Sequence, residues 1–294
     1  MPNARQKSIL HFHFIVFLFG FTSILGALIQ IDALPLVTWR MGIASLLITL
    51  FFLVRNPKRF TGAKAQLKWL IAGGLMIGVH WITFFYAIKI AGVSLTLSMM
   101  ASGAFLTALL EPLFYRRKIV LYELFFGAIA LLGLLLIFNA EFDKLYGILI
   151  ALLSAVLSVF FTLINGKLAQ RLPASTVTFY ELTIGFVALT AFCLWYNDFS
   201  LSPFVLQGND WVYLLILGSI CTAYAFIVSV QVMQQLTPFT IMIIINMEPI
   251  YGILMALVIF GEKELMSTNF YIGVALILLA IASNGYLKSK QKST

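Results

Sequence analysis

One carboxyl group lies deep within an apolar stretch of the sequence. Glu248 follows about ten mostly apolar positions, which corresponds to roughly 15 Å along a helix. Pro249 comes next and lacks the N–H of a regular helix residue, so it frees a backbone carbonyl beside the carboxyl group, and Asn246 lies close by. Either Glu248 binds a cationic group or a proton in a cavity, or it packs between helices and hydrogen-bonds a neighbour.

A cation lies in a second apolar stretch. Arg40 is about six residues from one end of that stretch, or roughly 9 Å deep by the helical rise. Its long side chain either extends back to the nearer end or points toward the middle of the stretch. The second alternative would make the guanidinium group part of a substrate cavity.

A histidine and a tryptophan are adjacent near the centre of a third apolar stretch. His80 and Trp81 precede further aromatic residues. A histidine in this setting either binds a substrate carboxylate or relays a proton, or it is a hydrogen-bonded packing residue.

Small and polar residues mark further positions within the apolar stretches. Ser94, Ser98 and Ser102 recur at a spacing of four, so they share one helix face, which favours close helix packing and also suits a polar cavity wall. Asn165 and Tyr224 are additional polar candidates for the same cavity.

The elements that carry these residues are predicted to be membrane-spanning helices. Hydrophobic residues make up 62% and charged residues 10% of the chain, whereas soluble domains have about 25% charged residues. Spanning helices need about 20 mostly apolar residues and bond every backbone group internally. The sequence predicts an all-α membrane protein with ten such helices, near residues 12–29, 36–54, 67–88, 93–115, 119–139, 146–166, 175–196, 211–233, 238–260 and 269–287.

The distribution of Lys and Arg predicts that both termini are cytoplasmic. Under this topology the outer segments hold only Lys89, Lys144 and Lys263 of the 19 Lys and Arg residues, and Arg40 lies within a span. The inner segments hold the others, as the positive-inside rule requires. The net charge of +8 therefore indicates topology and affinity for the lipid bilayer, and no nucleic-acid partner is expected.

Weak internal similarity divides the chain into two repeats, residues 1–140 and 141–294. Each repeat would hold five spans, and an odd number inverts the second repeat relative to the first. Inverted repeats are frequent in secondary transporters, where the substrate site lies between the halves near the midplane.

Two alignments pair residues of the proposed halves. One pairs Ser102 with Glu248, and the other pairs Arg40 with Glu181. Because of the inversion, Arg40 and Glu181 would differ by about 12 Å in depth across a core of roughly 30 Å. A direct salt bridge between them is therefore not expected.

The chain resembles the EamA-type members of the drug/metabolite transporter superfamily over essentially residues 10–287. The resemblance rests on the ten spans, the inside termini, Trp39-Arg40 in the second span, a proline in the ninth and Phe260-Gly261-Glu262-Lys263 after it. The first half departs from this pattern, with Tyr115-Arg116-Arg117 at the matching place. The resemblance implies a 5+5 inverted repeat, a central cavity lined by both halves, and export of small polar metabolites, often amino acids, or of drugs.

The sequence thus predicts a secondary transporter of the cytoplasmic membrane that exports a small-molecule substrate by alternating access. Proton coupling through Glu248 or His80 and facilitated diffusion both fit the sequence. The alternatives are an uptake permease of the same fold and an intramembrane enzyme with Ser98 or Ser102 near His80. No ATP-binding or zinc-binding motif is present, so no cofactor, metal or catalytic residue is expected, and the chain is expected to be a monomer or homodimer.

Overall fold

The computed structural model describes residues 4–55, 63–116 and 121–291, which form helices joined by short connections. The helices are α1 (Ala4–Leu28), α2 (Ala33–Arg55), α3 (Leu67–Ala91), α4 (Val93–Met100), α5 (Gly103–Tyr115), α6 (Leu121–Ala140), α7 (Leu145–Leu168), α8 (Ala174–Tyr196), α9 (Asp210–Gly218), α10 (Ala225–Val232), α11 (Pro238–Ile245), α12 (Glu248–Phe260) and α13 (Thr268–Gln291). A π-helical segment, Ser219–Tyr224, joins α9 to α10. The predicted all-α architecture is confirmed for the described residues.

Eight helical segments of the described residues are long and apolar enough to cross a membrane. They are Ser8–Leu28, Ala33–Val54, Lys64–Ala91, Val93–Tyr115, Phe142–Leu168, Ala174–Tyr196, Asp210–Val232 and Thr240–Glu264. Two shorter apolar helices, Phe125–Ala140 and Thr268–Ala280, occupy the places of the fifth and tenth predicted spans. Residues 119 and 120, the predicted start of the fifth span, lie outside the described residues. The count of ten stays a prediction.

The fourth and ninth spans are each broken near the middle, although the sequence pattern predicts continuous helices. At the first break the Ser102 N–H donates to the Met99 carbonyl oxygen at 3.1 Å, and at the second the Met247 N–H donates to the Ile244 carbonyl oxygen at 3.0 Å. These bonds to the third preceding residue tighten the turn. Pro249 contributes to the second break because it has no N–H to donate.

An alignment of the two breaks by their hydrogen bonds differs by one residue from the alignment of the sequences. Met247, and not Glu248, matches Ser102, so that Glu248 corresponds to Gly103 at the start of α5. A carboxyl group is therefore present at the start of α12 and absent at the start of α5.

Glycine residues allow several helices to cross at very short distances. A Cβ on Gly133 of α6 would lie 2.6 Å from the carbonyl oxygen of Gly273 on α13, and a Cβ on Gly273 would lie 2.7 Å from that of Gly133. A Cβ on Gly74 of α3 would lie 2.6 Å from the carbonyl oxygen of Glu181 on α8. Small residues at such crossings let membrane helices pack through their backbones.

Candidate functional site

A cavity lies among helices from both parts of the chain. Its volume is about 90 Å³, smaller than the roughly 300–1,000 Å³ of typical small-molecule sites. Four of the predicted site residues line it: Arg40 of α2, His80 and Trp81 of α3, and Glu248 of α12. Much of the remaining wall is aromatic, formed by Phe12, Phe19, Phe84, Phe161 and Phe226.

Arg40 is held at the cavity by the π-helical segment. Its Nε donates to the Thr222 hydroxyl at 2.6 Å, and its Nη2 donates to the Cys221 carbonyl oxygen at 3.4 Å. The Thr222 hydroxyl in turn donates to the carbonyl oxygen of Leu217, five residues earlier, at 2.6 Å. Because π-helical turns often occur at functional sites, this segment is well suited to orient the guanidinium group.

The guanidinium group of Arg40 is buried and faces the cavity wall. Arg40 is only 2% exposed, and its Cζ lies 3.8 Å from the centroid of the Trp81 ring, a cation–π contact. Trp81 is itself held edge-on to Phe226, with ring centroids 5.8 Å apart. The structure therefore selects the inward-pointing alternative for Arg40. Its Nη1 has no hydrogen-bond partner among the described residues and remains able to bind an anionic group.

Hydrogen bonds to α7 fix the orientation of the His80 ring. Nδ1 lies 2.9 Å from both the carbonyl oxygen and the hydroxyl of Ser154, and that hydroxyl donates to the His80 carbonyl oxygen at 2.9 Å. A carbonyl oxygen can only accept, so Nδ1 carries the proton in this arrangement. In a neutral His80, Nε2 is then a hydrogen-bond acceptor, which suits an ammonium or hydroxyl group better than a carboxylate.

Glu248 lines the cavity from the first turn of α12 and is 8% exposed. An acidic side chain at a helix N-terminus interacts favourably with the helix dipole. Among the described residues, Glu248 and Arg40 form no ion pair within 4.0 Å, although both line the same cavity. A basic and an acidic side chain thus line one cavity without forming a direct ion pair.

The predicted serines lie outside the cavity lining. Ser98 is buried and donates to the carbonyl oxygen of Ser94 at 2.8 Å, and Ser102 donates to that of Met99 at 2.7 Å. Both hydroxyls are therefore used within their own helical segment, and His80 is bonded to Ser154 instead.

The other three candidates also lie apart from the cavity lining. Tyr224 is 42% exposed, and its hydroxyl lies 2.6 Å from Nε2 of His11. Asn165 is buried and donates to Glu181 at 3.0 Å. Asn246 is buried at the second helix break, and neither its Oδ1 nor its Nδ2 has a partner among the described residues.

Several residues that organise the site carry no signal in the sequence. Thr222 and Cys221 become partners of Arg40 through the π-helical register, and Ser154 meets His80 through the crossing of α3 and α7. The role of Glu264 is also not visible in the sequence. Its carboxyl oxygens accept from the Val93 and Ser94 N–H groups at 2.9 and 2.8 Å and cap α4. These are long-range contacts between apolar helices, which hydropathy does not encode.

The fold and cavity define a multi-pass helical membrane protein with a polar site enclosed among its helices. The chain belongs to the EamA-like transporter family, whose model matches residues 6–139 and 145–285. It is 26% identical over 227 residues to "Uncharacterized transporter YxxF" of Bacillus subtilis (strain 168), covering 75% of this chain and 70% of that protein.

A solved crystal structure shares the fold, with a TM-score of 0.69 and 18% identity over 94% of this chain and 96% of that one. The family match confirms the resemblance inferred from the sequence and the multi-pass membrane location. The chain is therefore a membrane transporter.

Proposed function

We propose that the chain is a secondary transporter of the cytoplasmic membrane that exports a small zwitterionic metabolite, such as an amino acid, by alternating access. The observation that carries this proposal is that a basic side chain, Arg40, and an acidic one, Glu248, line one cavity without a direct ion pair. Charged groups within membrane spans are costly, so they are retained mainly where they serve transport or binding.

Each part of a zwitterion has a complementary group in the cavity. The unpartnered Nη1 of Arg40 can donate to a substrate carboxylate, and the planar guanidinium group suits two-point binding. The Glu248 carboxyl and Nε2 of His80 can accept from a substrate ammonium group. The phenylalanine side chains of the wall would contact the apolar part of the substrate.

The proposed architecture is a pair of inverted five-helix repeats, residues 1–140 and 141–294, with both termini in the cytoplasm. The two broken spans support this arrangement, because each contains the same tightened turn near its middle. Discontinuous helices at the interface of repeats are a common site of substrate binding in secondary transporters. Rocking of the repeats about these breaks would open the cavity to each side in turn.

Counterflow in proteoliposomes tests the transport function. Vesicles that contain only this protein and unlabelled neutral L-amino acids should transiently accumulate the same labelled amino acids from outside. Arg40→Ala vesicles, with matched protein content, serve as the control. Equal accumulation in wild-type, Arg40→Ala and protein-free vesicles would rule out this substrate class.

Accessibility labelling tests the proposed topology and, with it, the inversion. Cysteine tags at Gly62 and after Lys292, both outside the described residues, should report the cytoplasmic side, whereas a tag at Gly208 should report the outer side. Tags at Gly62 and Gly208 that report the same side would contradict the inverted repeat.

A further inference from the structure

A second polar site lies away from the cavity, between α3, α7 and α8. Glu181 of α8 is fully buried, and its carboxyl group does not line the cavity. Among the described residues its hydrogen-bond partner is Asn165 of α7, whose Nδ2 lies 3.0 Å from Oε1 and 3.3 Å from Oε2. The carboxyl group packs directly on Gly73 of α3, where any Cβ would overlap it.

No cation of the described residues neutralises this carboxyl group. The helices α2, α3 and α10 pack against α8, and α7 reaches it through the Asn165 side chain; α10 contains no charged residue. The described titratable side chains of the other three helices have different partners. Arg40 binds Thr222, Lys68 lies over Trp69, His80 bonds Ser154, Tyr86 contacts Tyr146, Lys89 donates to Ile29 and Lys167 donates to Phe114.

Two further polar atoms near Glu181 are buried without a partner among the described residues. One belongs to Asn165, which contacts Glu181, and the other to Thr178, three residues earlier on α8. Among the described residues, Asn165 Oδ1 accepts no hydrogen bond and Thr178 Oγ1 neither accepts nor donates one, and both residues are fully buried. A buried carboxylate that receives only one amide donor is poorly stabilised, whereas a protonated carboxyl group is neutral and gains an O–H donor. An unpartnered Asn165 Oδ1 could accept from that O–H after rotation of the amide.

We propose that Glu181, held by Asn165 against Gly73, is a proton-binding site outside the substrate cavity that couples transport to the proton gradient. Loss of the proton would leave a charge between α3 and α8, where the backbones meet at Gly74. Proton binding and release would thereby favour different positions of α8 against α3. This proposal rests on the transport function proposed above and assigns its coupling group.

Infrared spectroscopy of the purified full-length chain tests proton binding without any substrate. Wild-type protein should show a carbonyl-stretch band of a protonated carboxyl group that weakens from mildly acidic to mildly alkaline pH. Glu181→Gln should lose this component, and Asn165→Ala should shift its frequency because the amide donor is gone. Glu141→Gln is the control, since Glu141 forms an ion pair with Lys144 at 3.3 Å.

The proposal would be overturned if Glu181→Gln kept the wild-type band. It would also be overturned if the component that this variant loses did not change with pH in the wild-type protein. If Glu181→Gln fails to fold, Asn165→Ala decides whether Glu181 carries the proton. A band in Asn165→Ala with the wild-type frequency and the wild-type pH dependence would mean that it does not.

Proteoliposome transport tests the coupling, with labelled neutral L-amino acids as the probe. Glu181→Gln should keep counterflow within about twofold of wild type at equal pH on both sides, yet lose accumulation driven by a pH gradient. Glu141→Gln should keep both. Gradient-driven accumulation by Glu181→Gln at the wild-type level would refute coupling through Glu181. Absent counterflow in wild type would instead reject the amino-acid function, while the infrared titration would still decide proton binding.

Discussion

Arg40 of α2 and Glu181 of α8, which the sequence alignment pairs, are both buried, yet the chain uses them differently. Their backbones also have different neighbours: a Cβ on Gly74 would lie 2.6 Å from the carbonyl oxygen of Glu181, whereas a Cβ on Gly218 would meet the Ile43 side chain at 2.7 Å and the carbonyl oxygen of Arg40 only at 3.4 Å. The Arg40 side chain reaches the cavity wall and covers Trp81. The Glu181 carboxyl group stays between helices, bonded to Asn165.

This difference shows that two buried ionisable side chains of one chain can have different surroundings. The Arg40 side chain reaches the cavity, whereas the Glu181 backbone is packed closely on Gly74 and its carboxyl group on Gly73. Glu248 adds a second asymmetry, because its counterpart at the start of α5 is Gly103. The cavity therefore receives one cation from the first half and one carboxyl group from the second.

The largest expected effect concerns Arg40. Arg40→Ala should reduce flux by about tenfold or more, since hydrogen bonds to charged groups contribute about 1.5–3 kcal/mol and about 1.4 kcal/mol corresponds to a factor of ten. Arg40→Lys should restore little, because an ammonium group lacks the planar fork that binds Thr222, Cys221 and a carboxylate together. The measurement is initial counterflow at matched protein content.

A folding control separates this effect from loss of structure. Both variants should remain monodisperse in detergent with near wild-type helix content. Wild-type transport by Arg40→Ala would mean that the guanidinium group serves packing only.

The next effect concerns the glycine crossing beside Glu181. Gly74→Val should lower stability by about 1–3 kcal/mol, because its side chain would strike the backbone of Glu181, which cannot move aside easily. Gly78→Ala, one turn further along α3, is the matched control, since its Cβ would meet only the flexible end of Leu189 at 3.3 Å. Thermal unfolding in detergent should separate the two variants, and equal midpoints would contradict the close crossing.

The sequence predicts much of this architecture and only part of the site. Hydropathy locates the spans because lipid demands long apolar helices, and depth along a helix identifies Arg40, His80 and Glu248 as unusual. The sequence does not reveal the π-helical segment that brings Thr222 to Arg40, or the helix crossing that brings Ser154 to His80. The positions of the two helix breaks pair Ser102 with Met247, one residue from the Glu248 of the sequence alignment, and apolar helices match almost equally well in neighbouring registers.

A third, smaller effect concerns the carboxyl group of the cavity. Glu248→Gln keeps the shape of the side chain but removes its ability to bind a proton or carry a negative charge. Transport by this variant should lose its preference for substrates with a cationic group. The measurement is uptake of a neutral amino acid into proteoliposomes in competition with the acid that lacks its ammonium group, with thermal stability recorded for each variant. Wild-type flux and wild-type preference would make the carboxyl group structural and direct attention to His80 and Trp81.

The smallest effect is expected for the partner of His80. Ser154→Ala removes a hydroxyl group but leaves the backbone carbonyl that accepts from Nδ1. One neutral hydrogen bond contributes about 0.5–1.5 kcal/mol, so counterflow should fall by no more than roughly tenfold and thermal stability should decrease slightly. A complete loss of transport in a stable Ser154→Ala protein would show that the hydroxyl group itself acts on the substrate.

Ligand discrimination by the purified protein tests whether Arg40 and Glu248 bind the two ends of a zwitterion. Three probes are compared by calorimetry: a neutral L-amino acid, the amine that lacks its carboxylate, and the acid that lacks its ammonium group. Wild type should bind the amino acid best. Arg40→Ala should lose the preference over the amine and keep that over the acid, and Glu248→Gln should do the reverse. The same order of affinities in all three proteins would contradict the account.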